Sequence, residues 1–273
     1  MKSSGIITLT TDFGLQDPYV GIMKGVILSI SPEARVIDIS HQIRAGSIFQ
    51  ASYLIQEAYP FFPKGTVHVA VIDPGVGGER RPIIIDSGEH IFVGPDNGLF
   101  WPIIKSHQEA PIIHLTEEKY FLPKISRTFH GRDIFAPVAA HLWRGVDPSD
   151  MGIPINDPVQ LQLPMPRRKG DLLSGQVIRV DRFGNLITNI HRKELEEFLG
   201  NEAPVIQVGN QTIEGVLKTY NEAGPGEILT LIGSSDYLEI AVNLGRACDF
   251  LGLDSEDPEG IPVEVSNVKG HAK

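Results

Sequence analysis

The chain has 273 residues, a length that suits one large domain or two of modest size. Hydrophobic residues make up 41% and charged residues 21%, a balance that is typical of a globular protein and gives no sign of disorder. The formal net charge of −10 argues against a nucleic-acid backbone or an anionic membrane surface as a partner.

The cysteine count and the hydropathy pattern narrow the possibilities further. Cys248 is the single cysteine, which excludes an internal disulfide framework and any metal site built from several cysteines. The sequence contains neither a signal-peptide hydrophobic region nor an apolar run long enough to cross a bilayer. We therefore expect a cytoplasmic protein.

Strands and helices are predicted to alternate through the first half of the chain. Strands are expected over residues 5–10, 36–39, 67–72, 83–85 and 91–93, and helices after Asp17-Pro18, from Ser47 to Tyr59 and over 99–104. Asp17 is the expected N-cap of the first helix, with proline at its first position. This alternation predicts an α/β N-terminal domain with a central sheet flanked by helices.

The third predicted strand ends in a loop with little side-chain bulk. Asp73 ends the strand and is followed by a proline, three glycines and Arg80. In open α/β sheets, ligands bind beyond the carboxyl ends of the strands. The loop is therefore either a site for an anion or a polarised water, or a tight turn with a solvated charge pair.

Two other loops of this half carry candidate site residues. Asp12 follows the first strand and has no evident capping role, so it is a candidate ligand-binding carboxylate. His130 precedes an apolar helix that Asp133 is expected to cap. A lone histidine is more often structural than catalytic, so a role for His130 requires other charged loop residues to meet it.

The sequence pattern changes in the second half of the chain. A proline-rich stretch over 148–166 is interpreted as a linker, with domains expected at 1–157 and 171–273 around a linker at 158–170. Strands are predicted over 175–180, 186–189, 205–208, 211–215, 227–232 and 237–241, with a short helix near 193–198. This pattern predicts a small β domain, either a barrel or a sandwich.

The polar and aromatic loops together match one family in their order along the chain. They are Thr11-Asp12-Phe13-Gly14 with Asp17 and Gly21, Asp73-Pro74-Gly75-Val76-Gly77 with Arg80, Phe129-His130-Gly131-Arg132-Asp133, and Phe183-Gly184-Asn185. From about Ile6 to Gly245, the sequence resembles the S-adenosylmethionine hydroxide adenosyltransferases, also called adenosine-forming S-adenosylmethionine hydrolases, which are relatives of fluorinase and chlorinase. The resemblance implies a small C-terminal β-barrel domain after the α/β domain, and a homotrimer with sites at subunit interfaces.

The resemblance also implies an activity and roles for single residues. The reaction is hydrolysis of S-adenosyl-L-methionine to adenosine and L-methionine, with the catalytic groups falling on Asp73, Arg80 and His130. The implied substrate contacts are Asp12 for the ribose hydroxyls, Asn185 for adenine, Phe183 and Tyr220 as aromatic positions, and Asp181 and Ser234 for the methionine end. Ser235 stands where fluorinase has an arginine. The chain also lacks the insertion of the halogenating relatives after the strand near Val71, which favours water over halide.

The expected chemistry agrees with these side chains. Methionine leaves a sulfonium as a neutral thioether, so the difficult step is activation of water. An arginine favours the anionic form of a neighbouring oxygen, and His130, oriented or polarised by Asp73, would accept the proton. No cofactor and no metal ion is expected.

Two other functions remain open at the level of sequence. A metal-dependent hydrolase would use Asp12, Asp73, His130 and Asp133 as hard ligands, although they show no recognised metal-binding spacing. A sensor that binds S-adenosylmethionine or a nucleoside without turnover would keep Asp12 and Asn185. Such a sensor would have no need of Arg80 together with His130.

Overall fold

The computed structural model describes residues 3–253 and 260–267. It divides the chain into two compact units, Met1–Gln162 and Leu163–Lys273. In the described residues, no helix is both long enough and apolar enough to span a membrane.

The N-terminal unit is built around a seven-stranded mixed sheet. Its elements are β1 (Ile6–Thr11), α1 (Tyr19–Ile30), β2 (Arg35–Ser40), α2 (Ile48–Ala58), β3 (Val67–Val71), β4 (Pro82–Asp86), β5 (Ile91–Pro95), α3 (Trp101–Ser106), β6 (Ile112–Leu115), α4 (Ala136–Trp143) and β7 (Gly152–Ile155). The strand order is β2-β1-β3-β5-β4-β6-β7. Strands β2, β1, β3 and β5 are parallel, so their carboxyl ends lie at one edge of the sheet.

Both faces of this sheet are covered, because side chains alternate along each strand. Leu9 and Val69 belong to the core that also contains residues of α1 and α4. Ile72 and Phe92 belong to a second core, which includes residues of α2 and α3. The observed unit is the α/β architecture that the alternation of elements predicted.

Two local expectations for this unit were wrong. Pro18, with φ −75° and ψ 0°, occupies the cap position of α1, so the exposed Asp17 is not the N-cap. Gly152–Ile155, which was included in the proline-rich linker, is the edge strand β7 and pairs with β6. Proline is tolerated in an edge strand because one side of that strand needs no ladder hydrogen bonds.

The C-terminal unit contains one large, mostly antiparallel sheet. Its elements are β8 (Arg167–Lys169), β9 (Leu172–Val180), β10 (Leu186–His191), α5 (Arg192–Leu199), β11 (Pro204–Val208), β12 (Gln211–Glu214), β13 (Ile228–Ile232), β14 (Tyr237–Val242), α6 (Ala247–Phe250) and β15 (Pro262–Asn267). The order is β12-β11-β15-β9-β10-β14-β13, and β8 pairs with β9 outside this path. Strand β15, which sequence reasoning missed, joins β11 to β9.

A close backbone contact in the N-terminal unit fixes the loop between β3 and β4. Gly77 has φ +75°, and a Cβ atom there would lie 2.1 Å from the carbonyl oxygen of Arg127. Only glycine fits this position without displacing one of the two segments. The loop that ends at Arg80 is thereby packed against the segment that leads to His130.

Replacing Gly77 with alanine should therefore destabilise the N-terminal unit in two ways. The left-handed backbone conformation costs about 1–2 kcal/mol for a residue with a Cβ atom, and the clash adds about 1–3 kcal/mol. Gly88→Ala is the matched control, because Gly88 has φ +83° but open space around the built Cβ. We expect Gly77→Ala to lower the denaturant midpoint clearly more than Gly88→Ala. Equal losses would show that the contact with Arg127 does not constrain the loop.

Candidate functional site

Charged side chains of the N-terminal unit gather where its parallel strands end. Asp12 directly follows β1, and Asp73 stands two residues beyond β3. Because β1 pairs with both β2 and β3 in parallel, the loops that follow these strands share one edge of the sheet. A Cβ atom placed at Gly46 would lie 3.9 Å from the Cβ of Pro74, so the loop after β2 also reaches this edge.

Arg80 connects the two other catalytic candidates. Its Nε lies 2.9 and 3.0 Å from the carboxylate oxygens of Asp73, and its Nη2 donates to Asp73 Oδ2 and approaches His130 Nδ1 at 2.7 Å. The side chains of Arg80 and Asp73 are only 9% and 4% exposed. The Arg80 guanidinium carbon also lies 5.3 Å from the centre of the Phe135 ring. Arg80 and Asp73 therefore form a buried ion pair, and Arg80 also contacts His130. Their burial excludes the tight turn with a solvated charge pair that was considered from sequence.

His130 is held with its Nδ1 lone pair directed at Arg80. A guanidinium group can only donate, so Nδ1 accepts and the ring proton of the neutral histidine is on Nε2. Burial lowers the pKa of His130 first, and the positive charge of Arg80 lowers it further, against smaller opposing effects of Asp73 and Asp133. Both causes favour the neutral imidazole. Arg80 makes the contact with both Asp73 and His130, so any orientation of His130 by Asp73 passes through the guanidinium group.

Asp133 anchors the segment that carries His130. It lies inside the π-helical turn Gly131–Phe135 and is fully buried, so it is not the helix cap expected from sequence. Its carboxylate accepts from the backbone N–H of Ser126 at 2.7 Å and pairs with Arg132 at 2.6 Å. Burial raises the pKa of Asp133, but the hydrogen bonds from Arg132 and Ser126 outweigh it and the net shift is downward.

Asp12 is positioned by the loop that follows β2. Its Oδ2 accepts a hydrogen bond from the backbone N–H of Gly46 at 2.8 Å. Gly46 has φ +73°, a left-handed conformation that favours glycine. The carboxylate is half-buried and held at one oxygen by the backbone.

An aromatic cluster between these loops was not singled out from the sequence. Phe13, Tyr19 and Phe129 contact one another edge to face, with ring centres 5.2–5.9 Å apart. Tyr19 is 43% exposed, so the cluster reaches the surface. Two of its members directly adjoin Asp12 and His130 in sequence, and this adjacency is the signal that could have identified them.

In the C-terminal unit, Asp181 organises the turn between β9 and β10. Its Oδ1 accepts from the backbone N–H groups of Phe183 and Asn185 at 2.8 and 2.9 Å, and its Oδ2 accepts from Asn185 Nδ2 at 3.1 Å. Asn185 is buried, whereas the Phe183 ring is 74% exposed. The Gly184 N–H also donates to the Asp181 carbonyl oxygen at 3.1 Å, so the stretch is a β-turn that presents an aromatic face to its surroundings.

Tyr220 and Glu239 form a second polar pair in this unit. The Tyr220 hydroxyl donates to Glu239 Oε1 at 2.5 Å. Burial, followed by the hydrogen bond and charge of Glu239, raises the pKa of Tyr220. Burial also raises the pKa of Glu239, and the charge of Asp181 adds to the rise. These electrostatic effects place Tyr220, Glu239 and Asp181 in one neighbourhood, while Ser234 is an exposed residue of the loop before β14.

The metal-dependent hydrolase considered from sequence would need a cluster of ligand side chains. Among residues 3–253 and 260–267, no group of three or more histidine, cysteine, aspartate or glutamate side chains is arranged to hold a metal ion. Asp73 and Asp133, two of the four ligands considered from sequence, are instead paired with arginines.

Comparisons with known proteins agree with the resemblance seen in the loops. The model of the SAM hydroxide adenosyltransferase N-terminal domain matches residues 7–152, and that of the C-terminal domain matches 175–259. An "(R)-S-adenosyl-L-methionine hydrolase" of Methanocaldococcus jannaschii is 39% identical over 265 residues, which are 92% of this chain and 94% of the relative. The protein of the same name from Salinispora tropica is 36% identical over 254 residues, covering 92% and 95%.

A more distant relative and a solved structure are also similar to this chain. A fluorinase of an Actinoplanes species is 27% identical over 278 residues, covering 87% of this chain and 91% of the fluorinase. The crystal structure of an uncharacterized conserved protein from Thermotoga maritima has a TM-score of 0.87 and 35% identity, covering 96% of this chain and 100% of that one. Both domain models and these relatives lead to one conclusion: the chain belongs to the SAM hydroxide adenosyltransferase family.

Proposed function

We propose that the protein hydrolyses S-adenosyl-L-methionine to adenosine and L-methionine by attack of water or hydroxide at ribose C5′. The observation that carries this proposal is the buried contact of Arg80 with both Asp73 and His130. Support also comes from relatives named (R)-S-adenosyl-L-methionine hydrolase that are 36% and 39% identical over more than nine-tenths of the chain.

The reaction needs an activated oxygen more than it needs a general acid. The C5′–S bond breaks with its electron pair on sulfur, methionine leaves as a neutral thioether, and a C5′–O bond forms. One proton of the attacking water is released. Arg80 lowers the free energy of a developing hydroxide beside it, because a positive charge favours the anionic form of the oxygen.

His130 is the proton acceptor in this proposal. Its Nδ1 carries the lone pair and accepts from Arg80 at 2.7 Å, so the attacking water would replace this hydrogen bond and contact both groups. A positioned base contributes about 10²–10⁴-fold to a rate. Asp73 compensates the charge of Arg80 and fixes the orientation of the guanidinium group.

The remaining residues hold the substrate in line for this attack. We assign Asp12 to the ribose hydroxyls and Asn185 to adenine. The aromatic contacts are assigned to Phe183 and Tyr220, and the methionine end to Asp181 and Ser234. Alignment of C5′ with the oxygen contributes up to about 7–11 kcal/mol in favourable cases.

A sensor without turnover is the second candidate, and the geometry around Arg80 argues against it. A protein that only binds a nucleoside has no need to bury an arginine between a carboxylate and a histidine. The cost of burying these charged groups is explained when they act on a reacting oxygen.

We further propose that the C-terminal sheet closes into a small β-barrel. Strands β12 and β13 are the two ends of the sheet order. The segment after β12 approaches β13, because Leu217 N donates to Thr230 O at 2.8 Å and Thr230 Oγ1 donates to Gly215 O at 2.6 Å. These bonds between β13 and the segment after β12 support closure of the sheet.

We also propose that the protein acts in the cytoplasm as a homotrimer with each active site shared by two subunits. The family resemblance implies the trimer, and the division of the site residues between the two expected domains is compatible with a shared site. Asp73, Arg80 and His130 belong to the expected domain at 1–157, whereas Asn185 and Ser234 belong to that at 171–273.

The proposed bond cleavage can be tested by product analysis in labelled water. The purified protein should convert S-adenosylmethionine to adenosine and methionine, with heavy oxygen from the water in the 5′-hydroxyl of adenosine. Chromatography with mass detection checks both points. Formation of S-adenosylhomocysteine or methylthioadenosine would mean that another bond is broken, and binding without products would favour the sensor.

Removal of His130 should affect turnover more than substrate binding. His130→Ala should lower kcat by about 10²–10³-fold with little change in KM, as expected for a group that acts on the nucleophile. His107→Ala is the control, because His107 lies at the C-terminal end of α3 and is not one of the proposed site residues. Its removal should leave kcat unchanged.

The protonation state of His130 also predicts how kcat/KM depends on pH. Because burial and Arg80 lower the pKa of His130, wild-type kcat/KM should stay constant down to about pH 6.5, the ordinary pKa of histidine. It should fall only at lower pH, where the imidazole becomes protonated. Near-normal turnover of His130→Ala across neutral pH would contradict the assignment.

Mixed assemblies test whether the active site is shared. An inactive His130 variant and an inactive Asn185 variant are denatured and refolded together, then compared with each variant refolded alone. Shared sites would combine an unmodified first domain with an unmodified second domain in some trimers, so activity should return. Absence of activity in proven mixed trimers would rule out sharing.

A further inference from the structure

His41 contacts both ends of the loop that carries Asp12. It lies just beyond β2 and is only 4% exposed. Its ring Nδ1 is 2.8 Å from the hydroxyl of Thr11, and its backbone oxygen accepts from the N–H of Gly14 at 2.8 Å. Residues on either side of Asp12 are therefore held by one histidine.

The Thr11 hydroxyl accepts one hydrogen bond and donates another. The backbone N–H of Phe13 donates to Thr11 Oγ1 at 3.3 Å, which leaves the hydroxyl proton for His41 Nδ1. The ring proton is then on Nε2, which lies 3.1 Å from Asp38 Oδ1 but does not meet the geometry of a hydrogen bond. Lys24 pairs with the other oxygen of Asp38 at 2.6 Å.

The contacts of the His41 ring connect two parts of the unit: the loop that carries Asp12, and the elements β2 and α1. The Nδ1 side of His41 reaches Thr11, whereas the Nε2 side reaches Asp38 and through it Lys24. The carboxylate of Asp12 is itself held at Oδ2 by Gly46. Displacement of Thr11 would shift the backbone of Asp12 relative to that contact.

We propose that His41 is a positioning residue for Asp12. Its Nδ1 fixes Thr11 and its backbone oxygen fixes Gly14, so that the Asp12 carboxylate stays aligned with the 2′- and 3′-hydroxyls of the ribose. The inference rests on the proposed function, because the ribose contact of Asp12 belongs to that proposal. In this proposal, His41 does not touch the substrate and acts only through the loop that carries Asp12.

Two substitutions separate the two sides of the His41 ring. In His41→Asn, the side-chain oxygen can take the place of Nδ1 and accept from Thr11. In His41→Gln, the side-chain nitrogen can take the place of Nε2 beside Asp38, but the acceptor for Thr11 is lost. The proposal predicts that the asparagine variant resembles wild type and the glutamine variant does not.

The informative measurement is binding of adenosine against 2′,3′-dideoxyadenosine, because only adenosine has the hydroxyls that Asp12 would hold. Wild type should prefer adenosine by about 10–100-fold, as hydrogen bonds to a charged acceptor allow. Asp12→Ala should remove this preference, His41→Asn should keep it, and His41→Gln should reduce it to about 3-fold or less. A general loss of stability would weaken both ligands equally and leave the ratio unchanged.

Thr11 provides a second route if His41→Gln does not fold. Thr11→Val removes the hydroxyl while keeping the shape of the side chain, and Thr11→Ser keeps the hydroxyl. We expect the valine variant to lose the preference for adenosine and the serine variant to retain it. Retention of the wild-type ratio by His41→Gln or by Thr11→Val, or its loss in His41→Asn, would overturn the positioning role. Failure of wild type to hydrolyse S-adenosylmethionine would instead contradict the proposed function.

Discussion

The site in the N-terminal unit depends on the buried charge of Arg80. A buried guanidinium group is strongly unfavourable unless its charge is compensated and its donors are satisfied. Asp73 supplies the charge and accepts from two nitrogens, while His130 accepts from one of them. The ring of Phe135 lies against the guanidinium group. Loss of Asp73 would leave an uncompensated buried charge, so the positions of these residues are fixed together.

The loops that carry these residues meet for two separate reasons. Parallel pairing of β1, β2 and β3 places Asp12 and Asp73 at the same edge of the sheet. The segment with His130 comes from a distant part of the chain and is held by local bonds instead. Asp133 accepts from the backbone of Ser126, and Gly77 allows the β3–β4 loop to reach Arg127. Sheet topology and backbone packing therefore both contribute to the site.

Sequence reasoning recovered the parts of this structure that depend on local pattern. Alternation of apolar runs predicted the strands before Asp12 and Asp73, because such runs are buried on both faces of a parallel sheet. It could not predict that Arg80 stands between Asp73 and His130, since that arrangement depends on how a long side chain crosses between segments 50 residues apart. It missed β15, whose Val-Glu-Val-Ser pattern is short and begins with proline. It also assigned Asp133 to a cap, because a π-helical turn leaves no clear signal in the sequence.

The pairing of Arg80 with Asp73 also resolves a difficulty in the proposed reaction. S-adenosylmethionine carries a positive sulfonium next to C5′, and an uncompensated arginine beside that carbon would repel the substrate. With Asp73 bound to Arg80, the pair has no net charge and still presents guanidinium N–H groups as donors. In the proposed reaction, Arg80 would therefore act on the attacking oxygen at short range without opposing the cationic substrate at longer range. The effect of its charge on the pKa of His130 is consistent with this view, because the Arg80 side chain is buried and in direct contact with the half-buried His130, where screening by water is reduced. A neutral base and a compensated cation are the combination that allows water to be activated next to a sulfonium.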